Sequence, residues 1–251
     1  MQDIAAPLPT PIRGRHYRYY DLLMAGFIAV LLCSNLIGPG KVCELHLPVA
    51  LPLIGNSLVF GAGNFFFPIG FIFGDILTEV YGYARARKVI WAGFGAMIFA
   101  TIMASTILAL PAKLDEPYNA ALQPALEIAF GNTWRITLAS LFAYWLGDFT
   151  NSYVLAKMKL WTRGRWLWTR TIGSTIAGQA VDSVVFFPIA FGGLWTGNSM
   201  LDAVVFNFSF KVMVEVVATP LTYLVVYQLK RAEHEDFYDS DTDFSPFTLR
   251  D

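Results

Sequence analysis

The chain has 251 residues, of which 55% are hydrophobic and 15% charged, and its net charge is −1. A soluble domain has about 25% charged residues, so this composition indicates a membrane protein and excludes a disordered chain or a basic nucleic-acid-binding protein. Two Cys and three scattered His exclude a disulfide framework and a metal site. No metal or other cofactor is therefore expected.

Six membrane-spanning helices are predicted, because a helix needs about 20 mostly apolar residues to cross a bilayer. In chain order they are residues 20–38, 57–81, 88–110, 134–156, 171–193 and 204–229. The predicted fold is all-α: a polytopic bundle of six transmembrane helices over residues 20–230. A short N-terminal segment, 1–19, precedes it.

Basic residues predict the orientation of the bundle. They cluster before the first helix, between the second and third, between the fourth and fifth, and after the sixth. The opposite connections hold only Lys41, Lys113 and Arg135. Since cytoplasmic loops carry the excess of Lys and Arg, both termini are predicted to be cytoplasmic.

Two segments outside the spans stand out. The longest outer connection, 111–133, is interrupted by three prolines and is expected to hold a short interfacial helix at 121–130. The C-terminal segment, 231–251, is rich in acids and has no apolar periodicity. We expect it to be a solvated, disordered cytoplasmic tail.

Small residues predict close helix packing. Gly70 and Gly74 form a GxxxG pattern in the second helix, and Ser174 and Gly178 form a similar pattern in the fifth. Small residues let helix backbones approach closely in lipid. These faces also allow a homodimer, which we predict.

Ionisable residues within a span are costly and mark functional positions. The second helix holds Asn64, Asp75 and Glu79, with the two acids four residues apart on one face. One interpretation is that the acids lie near the inner interface and pair with the basic segment 85–88. The other is that their face lines a cavity. Both can hold at once, with Glu79 in a structural role and Asp75 facing the cavity.

The fifth helix carries a continuous polar stripe. Ser174, Gly178 and Asp182 are spaced by four, and Gln179 lies beside them. Such a stripe must face protein or water, because exposure to lipid would leave its polar groups unsatisfied. It forms either a hydrogen-bonded seam between helices or one wall of a cavity.

The sixth helix holds Asn207, Lys211 and Glu215 at the same spacing of four. Lys211 and Glu215 are predicted to pair, either as a fixed internal ion pair or as one that opens when substrate or a proton binds. In the fourth helix, Asp148 is interpreted as an interfacial partner of the basic loop 157–170.

These acids, amides and aromatic residues suit a small, flat, polar and nearly neutral solute. A carboxylate can accept two parallel N–H bonds from a guanine-like edge, and aromatic rings can stack on its faces. The sequence contains no GxxxxGK[ST], HExxH or GxSxG motif, so an enzyme is not expected.

Three segments carry a resemblance to a known family. Residues 67–88 read Phe-Pro-Ile-Gly-Phe-Ile-Phe-Gly-Asp-Ile-Leu-Thr-Glu-Val-Tyr-Gly-Tyr-Ala-Arg-Ala-Arg-Lys. With Arg170 to Ser183 and Lys211 to Tyr223, this segment resembles the queuosine precursor transporter family, also called the vitamin uptake transporter family. The resemblance covers residues 18–230.

The resemblance implies a multi-pass importer in the bacterial inner membrane. Its expected substrates are 7-cyano-7-deazaguanine and 7-aminomethyl-7-deazaguanine, precursors of the tRNA base queuosine; nucleic acid is not an expected partner. The residues expected to line a central site are Asn64, Asp75, Glu79, Gln179, Asp182, Asn207, Lys211 and Glu215. Two alternatives stay open: a binding subunit that needs an external ATPase module, and a structural protein whose polar residues only hold helices together.

Overall fold

The computed structural model describes residues 16–36, 42–51, 55–61, 63–113, 115–131, 134–193 and 197–248. Within them lie seven helices and a two-stranded antiparallel sheet. The helices are α1 (Tyr20–Leu36), α2 (Gly63–Tyr81), α3 (Tyr83–Ala109), α4 (Pro117–Phe130), α5 (Trp134–Trp161), α6 (Leu167–Phe191) and α7 (Gly197–Glu233); the strands are β1 (Val42–Leu51) and β2 (Gly55–Gly61).

The β1–β2 hairpin is an addition to the predicted helical bundle. The second span was expected to begin at residue 57, but residues 57–61 belong to β2, and α2 begins at Gly63. The segment around Glu44 alternates polar and apolar residues, and Leu45 pairs with Leu58 across the hairpin. A period of two is typical of a strand. A prediction based only on the absence of charged residues does not detect this alternation.

Among the described residues, three helices are long and apolar enough to cross a membrane: Tyr83–Ala109, Leu167–Phe191 and the Ala203–Glu233 part of α7. Large apolar side chains such as Phe99, Ile102 and Val217 are exposed on them, as lipid-facing side chains would be. α1 is apolar but shorter, and α2 and α5 carry charges inside the bundle. The predicted short helix in the outer connection exists, but it begins earlier, at Pro117.

α5 and α6 approach each other closely at Gly178. A Cβ atom on Gly178 would lie 2.9 Å from both the Cβ of Asn151 and the carbonyl oxygen of Gly147. The predicted close packing at Gly178 is therefore confirmed. Cβ atoms on Gly70 and Gly74 would meet no described atom within 4 Å, so the GxxxG face of α2 is not packed within the described part of the chain.

The C-terminal tail differs from its prediction. Part of it is docked rather than solvated: Tyr238 and Asp239 are buried, and both carboxylate oxygens of Asp239 accept the backbone N–H of Tyr83 at 3.1 Å. Arg87 donates to the carbonyl oxygens of Asp243 and Ser245 at 2.7 and 2.6 Å. The tail docks because its acids meet an uncapped helix N-terminus and basic side chains, contacts that composition does not reveal.

The two ends of the described chain meet at one end of the bundle. The backbone N–H groups of Arg18 and Tyr19 donate to the Glu233 carboxylate at 3.1 and 2.8 Å, and the Tyr17 hydroxyl donates to Glu235 at 3.2 Å. We call this the tail end of the bundle. The beginnings of α1, α3 and α6 and the end of α7 are all held there through contacts with the tail or with one another.

Candidate functional site

Polar side chains on α2, α5, α6 and α7, together with Asp236 of the tail, form two groups. The tail-end ion cluster contains Glu79, Lys159, Arg170, Lys230 and Asp236. The polar core contains Asp75, Asp148, Asn151, Asp182, Lys211 and Glu215. On α2 the two groups are one helical turn apart, because Asp75 precedes Glu79 by four residues.

Glu79 is the centre of the tail-end ion cluster. Its side chain is fully buried, and Arg170 donates to both carboxylate oxygens at 2.8 Å. Lys230 donates to the same carboxylate, and the Lys159 Nζ lies 3.5 Å from it. Such a bidentate, charge-assisted contact is among the strongest that side chains make.

The expected pairing of Glu79 with the segment 85–88 is therefore wrong. Its cations come from α5, α6 and α7, while Arg87 reaches the tail. Gly82, at φ 87°, breaks the helix between α2 and α3, which turns the basic segment away from the face that carries Glu79. The contacts favour a structural role for Glu79, and a substrate contact by this residue stays a prediction.

Asp75 and Asn151 form the first contact of the polar core. The Asn151 Nδ2 donates to the Asp75 Oδ1 at 2.7 Å, and both side chains are buried. The Asp75 Oδ2 and the Asn151 Oδ1 have no hydrogen-bond partner among the described residues. Glu215 lies close enough to interact electrostatically with Asp75, so two acids from α2 and α7 face the same region.

Lys211 pairs with Asp182 rather than with Glu215. Its Nζ donates to the Asp182 Oδ2 at 2.9 Å and lies 4.4 Å from the centroid of the Phe67 ring. The predicted Lys211–Glu215 pair is wrong because the Lys211 ammonium is bound by the Asp182 carboxylate of the neighbouring helix. Lys211 thus links α7 to α6.

Gln179 and Glu215 are the least satisfied polar side chains of this region. They are 1% and 0% exposed, yet both polar atoms of Gln179 and both carboxylate oxygens of Glu215 lack a hydrogen-bond partner within the described ranges. A buried polar group left unpaired costs about 1–3 kcal/mol. Gln179 precedes Asp182 by three residues on α6, on the same buried stripe.

Asp148 is the residue that the sequence placed wrongly. It is buried rather than interfacial, and it interacts electrostatically with Asp182 and Lys211. Asn151 was also missed as a site residue. Asp148 and Asn151 are three residues apart on α5, directly after the tightly packed Gly147. This spacing could have identified both as site residues.

Asn207 lies at the border of this region. The Asn207 Nδ2 contacts the Ser183 Oγ at 3.5 Å. The side chain of Asn64 lies outside the described residues. In the part of the chain that the structure describes, no three His, Cys, Asp or Glu residues are grouped as a metal ion would require.

An apolar helical bundle with unpaired acids and amides buried between four of its helices is the architecture of a membrane transport protein. The sequence model of the family described as "Putative vitamin uptake transporter" matches residues 61–225. The chain belongs to this family. It is thus a membrane transporter and not an enzyme.

Two curated relatives agree with this assignment. The chain is 32% identical over 190 residues to the "Probable queuosine precursor transporter" of Bacillus subtilis, covering 74% of this chain and 80% of the relative. It is 28% identical over 178 residues to the "Queuosine precursor transporter" of Escherichia coli, covering 69% and 73%. No solved structure matches the chain.

Proposed function

We propose that this transporter imports queuosine precursors, with 7-cyano-7-deazaguanine and 7-aminomethyl-7-deazaguanine as its substrates. The names of both relatives support the substrate class. The observation that carries the binding site is the set of buried, unpaired polar atoms on Asp75, Gln179 and Glu215. The base binds among these side chains, with Asp182, Lys211 and Asn207 at the border of the site.

The chemistry of the unpaired atoms matches a guanine-like edge. Such an edge presents adjacent N–H donors, and a carboxylate accepts two of them in parallel. Glu215 offers two free oxygens, and Asp75 offers one. The Gln179 amide can donate to a ring carbonyl and accept an N–H in the same plane. A site with such groups rejects bases that lack the matching donors, because its own groups would stay unpaired.

One aromatic ring is available beside this edge. Phe67 lies under the Lys211 ammonium and packs against Phe71 at a centroid distance of 6.0 Å. Base–aromatic stacking contributes about 1–3 kcal/mol per base. We assign Phe67 as the residue that stacks on the flat face of the substrate.

We further propose that the protein crosses the bacterial inner membrane six times with both termini in the cytoplasm. The meeting of the two chain ends at the tail end supports an even number of spans. The basic residues gathered there support a cytoplasmic location, by the positive-inside rule. α1, α2, α3, α5, α6 and α7 are the six spans of this proposal.

Uptake by the purified protein tests the proposed function. Proteoliposomes are given each radiolabelled 7-deazaguanine, and Glu215→Ala and Gln179→Ala are compared with wild type. Gln228→Ala, on the exposed face of α7, is the matched control. We expect uptake by wild type and the control, and at least about fivefold slower uptake by the two site variants, since each loses about 1–3 kcal/mol of hydrogen bonding.

The result that contradicts the proposal is uptake that is equal in all four proteins. Failure of wild type to transport without an added ATPase preparation would contradict self-sufficient import. Each uptake rate is divided by the amount of folded protein, so that misfolding of a variant is not counted as loss of transport.

We also propose a homodimer through the GxxxG face of α2. Gly70 and Gly74 meet no neighbour within 4 Å in the described chain, so this face is available to a second copy. Gly70→Leu is expected to convert the dimer to a monomer in light-scattering measurements, with Gly95→Leu as the control, since Gly95 is also open but lies on α3. A mass unchanged by Gly70→Leu, or a monomeric wild type, contradicts the proposal.

A further inference from the structure

We propose that the tail-end ion cluster is a gate beneath the substrate site and that the C-terminal tail is the latch that holds this gate closed. The inference rests on the proposed function in one respect: the solute must pass between α2, α5, α6 and α7. The residues of the gate are Glu79, Lys159, Arg170 and Lys230, and the residue of the latch is Asp236.

The position of the cluster makes it a gate. Glu79 follows Asp75 by one turn of α2, towards the tail end. Arg170 ties Glu79 to α6, Lys159 ties it to α5, and Lys230 ties it to α7. The four helices that surround the polar core are thus tied to one carboxylate. A solute that leaves the polar core towards the tail end meets these charges first.

The tail completes the cluster. The Lys159 Nζ donates to the Asp236 Oδ1 at 2.6 Å, to the carbonyl oxygen of Phe237 at 2.7 Å and to the carbonyl oxygen of Glu79 at 2.6 Å. The Lys230 Nζ also lies 2.7 Å from the Asp236 Oδ1. Two of the three acceptors of the buried Lys159 therefore belong to the tail.

The fit of the tail to the bundle is specific. The backbone N–H of Phe237 donates to the carbonyl oxygen of Val80 at 3.4 Å, directly beside Glu79. The Phe237 ring occupies the space in which a Cβ of Gly82 would lie. Farther along, Trp91 donates to the carbonyl oxygen of Pro246 at 2.8 Å. The tail thus lies as a strap across the ends of α2, α3 and α5.

The charges explain why the latch controls the gate. Three cations surround Glu79, whose single negative charge leaves an excess of two positive charges, and Asp236 reduces that excess to one. When the tail leaves, Lys159 and Lys230 repel each other and Lys159 loses two acceptors, so the helix ends separate. Undocking of the tail is thereby coupled to opening of the tail end, as alternating access requires.

Accessibility of a buried cysteine tests this proposal without any substrate. In a Cys33→Ser, Cys43→Ser background, Thr175→Cys places the only thiol on α6 at a buried, unpaired position next to the polar core. Its rate of modification by a membrane-impermeant maleimide is measured in inside-out and right-side-out vesicles. Asp236→Asn is the test variant, and Asp241→Asn, an exposed acid of the same tail, is the matched control.

We expect Asp236→Asn to speed modification from the tail end about tenfold, since a charge-assisted hydrogen bond is lost, and to leave the other side unchanged. In Asp236→Glu, which keeps the charge, and in Asp241→Asn, the thiol at position 175 should be modified at the same rate as in the protein with the unaltered tail. Equal rates for Asp236→Asn and Asp241→Asn would overturn the proposal. So would an increase from both sides, which indicates general loosening. Because no solute is present, a failed substrate assignment would leave this result unaffected.

Discussion

Replacing Glu79 by Gln is the most direct perturbation of the tail-end ion cluster. The substitution keeps the shape of the side chain and removes one negative charge from a fully buried position. Arg170 and Lys159, both 1% exposed, then stay buried with fewer compensating charges. Lys159 and Lys230 keep Asp236, so Arg170 is the cation most affected.

The structure sets the expected size of the effect. Removing one partner of a buried ion pair costs about 3–5 kcal/mol. Arg170 retains the carbonyl oxygen of Arg165 at 2.6 Å and the Thr162 Oγ1 at 3.4 Å, which satisfies part of its guanidinium. We therefore expect a loss near the lower end, about 3 kcal/mol of unfolding free energy.

Reversible unfolding in mixed detergent micelles measures this quantity. Glu116→Gln, an exposed acid at the start of α4, is the control and should stay within about 0.5 kcal/mol of wild type. The Glu79→Gln, Arg170→Gln double variant should lose less than the sum of the two single variants, because the residues are in contact. A loss below 1 kcal/mol for Glu79→Gln, or strictly additive losses, would refute the assignment of Glu79 as the centre of the cluster.

Two further predictions concern packing and the tail. Gly178→Ala should destabilise the protein by about 1–3 kcal/mol in the same unfolding assay, because its Cβ would lie 2.9 Å from that of Asn151. Gly95→Ala should have little effect, because a Cβ on Gly95 would meet no described atom within 4 Å. Burial raises the pKa of Asp239, although its hydrogen bonds, including that from the Tyr83 N–H, lower it. The contribution of protonated Asp239 to stability is therefore full below the unfolded pKa of about 3.9 and is lost as pH rises through the folded pKa. Melting curves from pH 4 upwards should show this decline in wild type and not in Asp239→Asn. Identical pH profiles for the two proteins would contradict the prediction.

The sequence predicted the parts of this protein that depend on local pattern. The length of the apolar segments predicted the helices α3 and α6, and the spacing of small residues predicted the close approach at Gly178. The buried acids Asp75 and Glu215 were also singled out, because charges are costly inside an apolar helix. Each of these inferences uses residues that are neighbours along one helix.

The sequence did not predict which groups meet across the bundle. Glu79 binds cations from three other helices, and Lys211 chooses Asp182 over the acid one turn along its own helix. Docking of the tail around Asp239 escaped prediction because acidic composition is typical of a solvated segment, while its partners lie at α3. Partner choice of this kind depends on helix rotation and on turns such as that at Gly82, which no single-helix pattern encodes.

The binding of a deazaguanine to the buried acids is tested most directly by ligand-induced thermal shifts of the purified protein. Melting is followed with a panel of purines and 7-deazapurines for wild type, Glu215→Ala and Gln179→Ala. The 7-deazaguanines should stabilise wild type by about 2.7 kcal/mol at a hundredfold excess over Kd, adenine-type bases should not, and both variants should lose the shift. A shift of equal size in Glu215→Ala, or equal shifts with every purine, would contradict the account.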